Sequence, residues 1–105
     1  MKEIKAIIQP FVADKVLSAL REVSELPGVT VSEVKGFGRG RALGPSSSRE
    51  ADEIFGVKKI KLEIVVPDEL VDKVVLLIAK QAHTGNPGDG KIFVSSVEES
   101  IKVRT

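Results

Sequence analysis

The chain contains no cysteine and no tyrosine, and its single histidine is His83. Without cysteine, thiol catalysis, thiolate-bound zinc and a disulfide scaffold are excluded, while a reducing compartment remains compatible. A lone histidine without a companion ligand makes a poor metal site. Long apolar runs are missing too. The N-terminal "MKEIKAIIQPF" is broken by Lys2, Glu3, Lys5 and Pro10, which argues against a signal peptide or a membrane span and for a cytoplasmic protein. Neither sign of charge dominates: 16 basic against 15 acidic residues leave a net charge of +1. That balance gives no reason to expect nucleic acid or an anionic membrane as partner. No paired carboxylates and no nucleophile–base arrangement stand out, so no enzyme is expected.

What is present is an ordinary globular composition, 42% hydrophobic and 30% charged over 105 residues, enough for one domain with a single core. Residues 3–9 alternate, with Ile4, Ala6 and Ile8 on one face and Lys5, Ile7 and Gln9 on the other, and Pro10 ends this strand. From Ala13 the spacing of Val16, Leu17, Leu20 and Val23 is helical, with Asp14 suiting the first turn. Pro27-Gly28 turns the chain into the β-branched "VTVSEV" at 29–34. A glycine- and serine-rich stretch from Gly36 to Val57 then breaks every period, and such a long loop inside a small domain tends to be functional or disordered. "KKIKLEIVV" at 58–66 alternates strongly, and Asp68 is a plausible N-cap for a helix striped by Val71, Val74, Val75 and Ile78. "KIFVSSV" at 91–97 predicts a further strand, and "IKVR" at 101–104 a short last one. Two βαβ halves predict an α+β, ferredoxin-like split βαβ sandwich: a four-stranded antiparallel sheet with both helices on one face. Its uncovered face would carry Ile7, Val34, Val65 and Phe93, an area best covered by oligomerisation.

The stretch "TGNPGDGKIF" at 84–93 satisfies G-x-x-x-x-G-K from Gly85 to Lys91, but Ile92 stands where a P-loop needs Ser or Thr for magnesium. A P-loop also follows a strand and opens a helix; here a helix precedes and a strand follows, so the Walker reading fails. Spacing alone leaves two readings, an ordinary turn or a nest of backbone N–H groups that holds an anion, with Lys91 adding charge. A second glycine-and-cation cluster, "KGFGRGR" at 35–41, carries Lys35, Arg39 and Arg41, and Lys102 and Arg104 form a third basic group. Together they suit a polyphosphate better than a single anion.

"AIIQPF" at 6–11, "TVSEVKGFGR" at 30–39, "KIKLEIVVPDELVDKVV" at 59–75 and "TGNPGDGKIFVSSVEESIKVRT" at 84–105 resemble the PII signal-transduction proteins over nearly the whole chain. The resemblance implies a homotrimer that binds ATP or ADP, with AMP a further candidate, in clefts between subunits. It places Gly36, Phe37, Gly38 and Arg39 on one side of each cleft, with Gly88, Asp89, Gly90 and Lys91 on the phosphates. Ile7, Glu63 and Val65 match positions near the nucleoside, and Thr84 a position beside it. Gly28, Val29, Thr30, Lys102 and Arg104 would come from the neighbouring subunit. Lys102 stands where the family usually has Arg and lacks its bidentate fork.

Residues 38–57 correspond to the T-loop, which PII proteins insert into targets such as membrane transporters. Here the chain departs from the pattern. Gly40 replaces the glutamine that helps hold magnesium and 2-oxoglutarate, and glycine offers no side-chain oxygen. Lys59, matching the lysine that pairs with 2-oxoglutarate, is retained. The tyrosine uridylylated in many members aligns with Asp52, which excludes that modification, and the serine phosphorylated in some relatives aligns near Glu50. A run at Ser46–Ser48 reads as flexible loop. These departures point to a diverged subgroup. Its expected role is control of a transporter or enzyme by adenine nucleotide. The alternative joins ADP or AMP with bicarbonate or another small anion, with Arg39, Arg41 and Lys59 as anion candidates and inorganic-carbon or metal transport as the setting.

Overall fold

The computed structural model describes residues 1–37 and 56–104, and every structural statement below concerns these. Strand β1 is Lys2–Ile8, helix α1 Ala13–Arg21, β2 Thr30–Gly36, β3 Val57–Val66, helix α2 Val71–Ala82 and β4 Gly90–Ser96. The strands form one sheet in the order β2-β3-β1-β4, and each neighbouring pair is antiparallel. This is the ferredoxin-like βαβ arrangement that the alternating periods predict.

The core follows from those periods. Ile4, Ala6 and Ile8 of β1 and Ile60, Leu62, Ile64 and Val66 of β3 are buried against Val16 and Leu20 of α1 and Val74 and Ile78 of α2. A period of 2 in the strands and about 3.6 in the helices delivers one apolar face from each. Both helices are entered the same way, through a proline-led 3₁₀ turn: Pro10–Val12 before α1, and Asp68–Leu70 after Pro67 before α2. Proline fixes φ near the helical value and its missing N–H is no loss in a first turn.

Three expectations are corrected. Asp68 does not cap its helix through the side chain; its carboxylate instead pairs with the Met1 ammonium at 2.9 Å. The irregular stretch is narrower at both ends than its glycines suggest, because Gly36 and Val57 face each other in the β2–β3 ladder. Gly56, at φ +83°, allows this: a Cβ there would lie 2.8 Å from the Gly36 nitrogen. Residues 101–104 form no strand; after Val97 N–H donates to the Met1 carbonyl at 3.1 Å the tail leaves the sheet, and Ile101 and Val103 are exposed.

The register fixes what the open face presents. Paired residues share a face, so Thr30, Glu63, Lys5 and Phe93 form one row, and Ser32, Lys61, Ile7 and Lys91 the next. Val34 pairs with Lys59, and Val65 with Glu3. The four apolar residues expected on this face are there, interleaved with charges, and Phe93 is 52% exposed.

Candidate functional site

The expected site residues fall into groups on opposite sides of the sheet. On the β2–β3 side, Gly28, Thr30, Glu63 and Val65 line a shallow depression of about 410 Å³ together with Glu3 and Pro27. Thr30 and Glu63 are cross-strand partners, and Val29 packs partly buried against the core beneath them. On the β4 side, Ile7 lies opposite Lys91 in the β1–β4 ladder, and Thr84, Gly88, Asp89 and Gly90 form the loop that leads into it. With neighbouring strands about 4.8 Å apart, the outer strands β2 and β4 are separated by roughly 14 Å. Gly36 and Phe37 lie at the far end of β2, where Phe37 is 85% exposed. Lys59 sits on the open face beside Val34.

Gly38, Arg39, Gly40 and Arg41 lie outside the described residues, as do Ser46–Ser48 and Asp52. Lys102 and Arg104 are exposed on the tail, and among the described residues neither makes a salt bridge. The same holds for Lys91. A second depression of about 610 Å³, lined by Met1, Pro27, Val65 and Ser100 among others, adjoins the first. Ser100, at the start of the tail, therefore lies near Pro27 and Val65.

The loop before β4 is built around one carboxylate. Asp89 Oδ2 accepts the Thr84 N–H at 2.7 Å and the Gly85 N–H at 3.2 Å, and the Thr84 hydroxyl donates to Oδ1. The Asn86 N–H donates in turn to Thr84 Oγ1 at 3.1 Å, and His83 Nδ1 lies 3.5 Å from Asp89 Oδ2. The Thr84 hydroxyl, then the Thr84 and Gly85 amides and the His83 ring, hold the Asp89 carboxyl below its ordinary value against a smaller opposing effect of burial. The amides of residues 84–86 are thus engaged by the chain's own carboxylate and hydroxyl.

Sequence reasoning missed Gln9, whose amide Nε2 donates to the Gly88 carbonyl at 2.7 Å. No local signal could have found it, since the two are 79 residues apart. Gly90 is held for a visible reason: at φ +130° a Cβ would lie 2.1 Å from the Ile7 carbonyl oxygen. Among the described residues no group of three or more His, Asp or Glu side chains could hold a metal ion, and no helix is long and apolar enough to cross a membrane.

Comparison with known proteins gives these features a family. The family model for nitrogen regulatory protein P-II matches residues 1–105. A Nitrogen regulatory protein P-II of Bradyrhizobium diazoefficiens is 49% identical over all of this chain and 93% of its own length. That of Azospirillum brasilense is 46% identical, with the same coverage of both chains. Nitrogen regulatory protein P-II 1 of Escherichia coli K12 is 48% identical, again over 100% of this chain and 93% of the relative. None of these names points to inorganic carbon or metal transport, the alternative raised by the altered loop. Matched from end to end, and with the expected antiparallel sheet, the chain belongs to the nitrogen regulatory protein P-II family.

Proposed function

We propose that this protein is a homotrimeric signalling protein that binds ATP or ADP between subunits and acts on a partner transporter or enzyme through residues 38–57. The observation that carries this reading is the division of the site. Of the residues expected around one nucleotide, Thr30 on β2 and Lys91 on β4 stand on opposite edges of a single sheet, on strands roughly 14 Å apart. A second copy brings the Gly28–Thr30 side and the cationic tail of one chain against the Gly88–Lys91 side of the next, and covers Phe93 and Val65 in doing so.

Each part then has a physical task. Ile7 and Val65 give the base apolar contact, and Thr30 offers a hydroxyl. Lys91, Lys102 and Arg104, which make no salt bridge among the described residues, neutralise phosphate charge. Arg39 follows the GFG segment at the root of residues 38–57, so a γ-phosphate that recruits it together with Lys91 biases that segment as ADP or AMP cannot. The bias is limited to the ligand's differential affinity for the two states. Gly40 supplies no side-chain ligand for magnesium, so the residue at this position does not fit a metal-held 2-oxoglutarate.

Calorimetric titration of ATP, ADP and AMP, with and without magnesium and 2-oxoglutarate, tests the site, and light scattering tests the assembly. Micromolar or tighter binding of ATP or ADP by a trimer is the expected result. A monomer, or a protein indifferent to all three nucleotides, overturns the reading.

A further inference from the structure

The loop between α2 and β4 is fastened by the chain itself at three points. Asp89 gathers the Thr84 and Gly85 amides, Gln9 holds the Gly88 carbonyl at 2.7 Å, and the Gly90 backbone lies against the Ile7 carbonyl oxygen. Two consequences follow from charge and from peptide geometry. The amides of residues 84 and 85 are already turned on a negative group, so a ligand phosphate placed over them would meet the Asp89 carboxylate at close range. The 88–89 peptide is trans and planar, so with its carbonyl turned toward Gln9 the Asp89 N–H points the opposite way.

We propose that Gln9 and Asp89 are positioning residues for the bound phosphates. Asp89 closes the nest at residues 84–86 to ligand anions, and Gln9 orients the Gly88 peptide. The phosphates are thereby confined to the Gly88–Lys91 segment, beside the Lys91 ammonium. Gln9 is well placed for this, lying just past the end of β1, two residues beyond Ile7 on the nucleoside side of the site. A loop set in advance loses little conformational entropy when the ligand binds. This inference rests on the nucleotide reading above.

The test compares the full-length protein with its Gln9→Ala, Asp89→Asn, Thr84→Val and Thr84→Ser variants, titrated with ATP, ADP and adenosine. Thermal melting is followed in parallel. Losing one hydrogen bond to the loop should weaken ATP and ADP in Gln9→Ala by roughly three- to tenfold, with adenosine affinity and the melting midpoint nearly unchanged. Asp89→Asn should weaken ATP and ADP likewise and spare adenosine, but melt somewhat lower because the carboxylate's hydrogen bonds are lost, and Thr84→Ser should keep the affinity that Thr84→Val loses. Unchanged ATP and ADP affinity in Gln9→Ala and Asp89→Asn overturns the proposal, and so does an equal loss for adenosine, which would mark a general structural defect. Should the wild type bind no adenine nucleotide, the reading beneath falls on its own. Inorganic tripolyphosphate is then the probe: binding that weakens in Gln9→Ala upholds the positioning role, and absence of binding overturns it.

Discussion

At the scale of single residues, glycine matters here where a backbone comes close, not where glycines cluster. A methyl group at Gly90 would sit 2.1 Å from the Ile7 oxygen, in a conformation with φ +130° that side chains avoid. Gly90→Ala should therefore cost about 2–3 kcal/mol of stability in urea unfolding, because β4 must shift along β1. Gly28 has open space around its Cα, and Gly28→Ala should stay within about 0.5 kcal/mol by the same measurement. Equal effects of the two would refute the close-approach argument. Lys91 carries no ion pair among the described residues, so Lys91→Ala should leave folding intact and weaken ATP or ADP by about 1.5–3 kcal/mol, the range of a charge-assisted hydrogen bond.

Asp89 adds a pH dependence whose sign follows from its surroundings. Hydrogen bonds from Thr84 and Gly85 lower its folded pKa below the ordinary 3.8. A lowered pKa contributes stability that is present above the unfolded value and lost as pH falls through the folded one. The Thr84 and Gly85 amides should thus stay protected from exchange at neutral pH and open only in acid below about pH 4, with a carboxyl NMR titration midpoint under 3.8. In Asp89→Asn that acid step should vanish; its persistence would assign it to another group.

At the scale of elements, β3 bears most of the weight. It lies inside the sheet between β2 and β1 and contributes Ile60, Leu62, Ile64 and Val66 to the core. Leu62→Ala removes a fully buried side chain from its middle and should cost about 2–5 kcal/mol in chemical unfolding. A cost under about 1 kcal/mol would show that the core collapses around the gap. This strand was legible because its alternation is long and uninterrupted. The edges of β2 were not, because Gly36 carries no apolar signal and is kept in the ladder by pairing with Val57 across a gap of 20 residues. The tail failed as a strand for the opposite reason. Ile101 and Val103 alternate like strand residues, but among the described residues no neighbouring strand pairs with them.

At the scale of the whole molecule, the open face of the sheet is the feature that one chain leaves unfinished. Phe93 stands half exposed between Lys5 and the edge of the sheet, and Ile7 lies between Lys61 and Lys91. A face of this mixed kind suits association with copies of itself, where apolar residues are covered and opposite charges meet. Phe93→Asp should convert the proposed trimer to monomers in light scattering, change the melting behaviour of the isolated chain little, and abolish nucleotide binding at the same step. A Phe93→Asp protein that stays trimeric would remove this face from the interface.

The sequence by itself determined the class of fold, the core and the family, because each rests on period, composition or contiguous motifs. Val74 and Ile78 announce a helix face and "TGNPGDGK" announces its loop without reference to anything distant. Only the tertiary structure decided how the glycine loop is used. It turns Asp89 back onto residues 84–86, brings Gln9 across 79 residues to the Gly88 carbonyl, and sets the β2–β3 side of the site apart from the β4 side. Hydrogen-bond partners and strand neighbours are chosen by the folded backbone, and residue spacing along the chain carries no record of that choice.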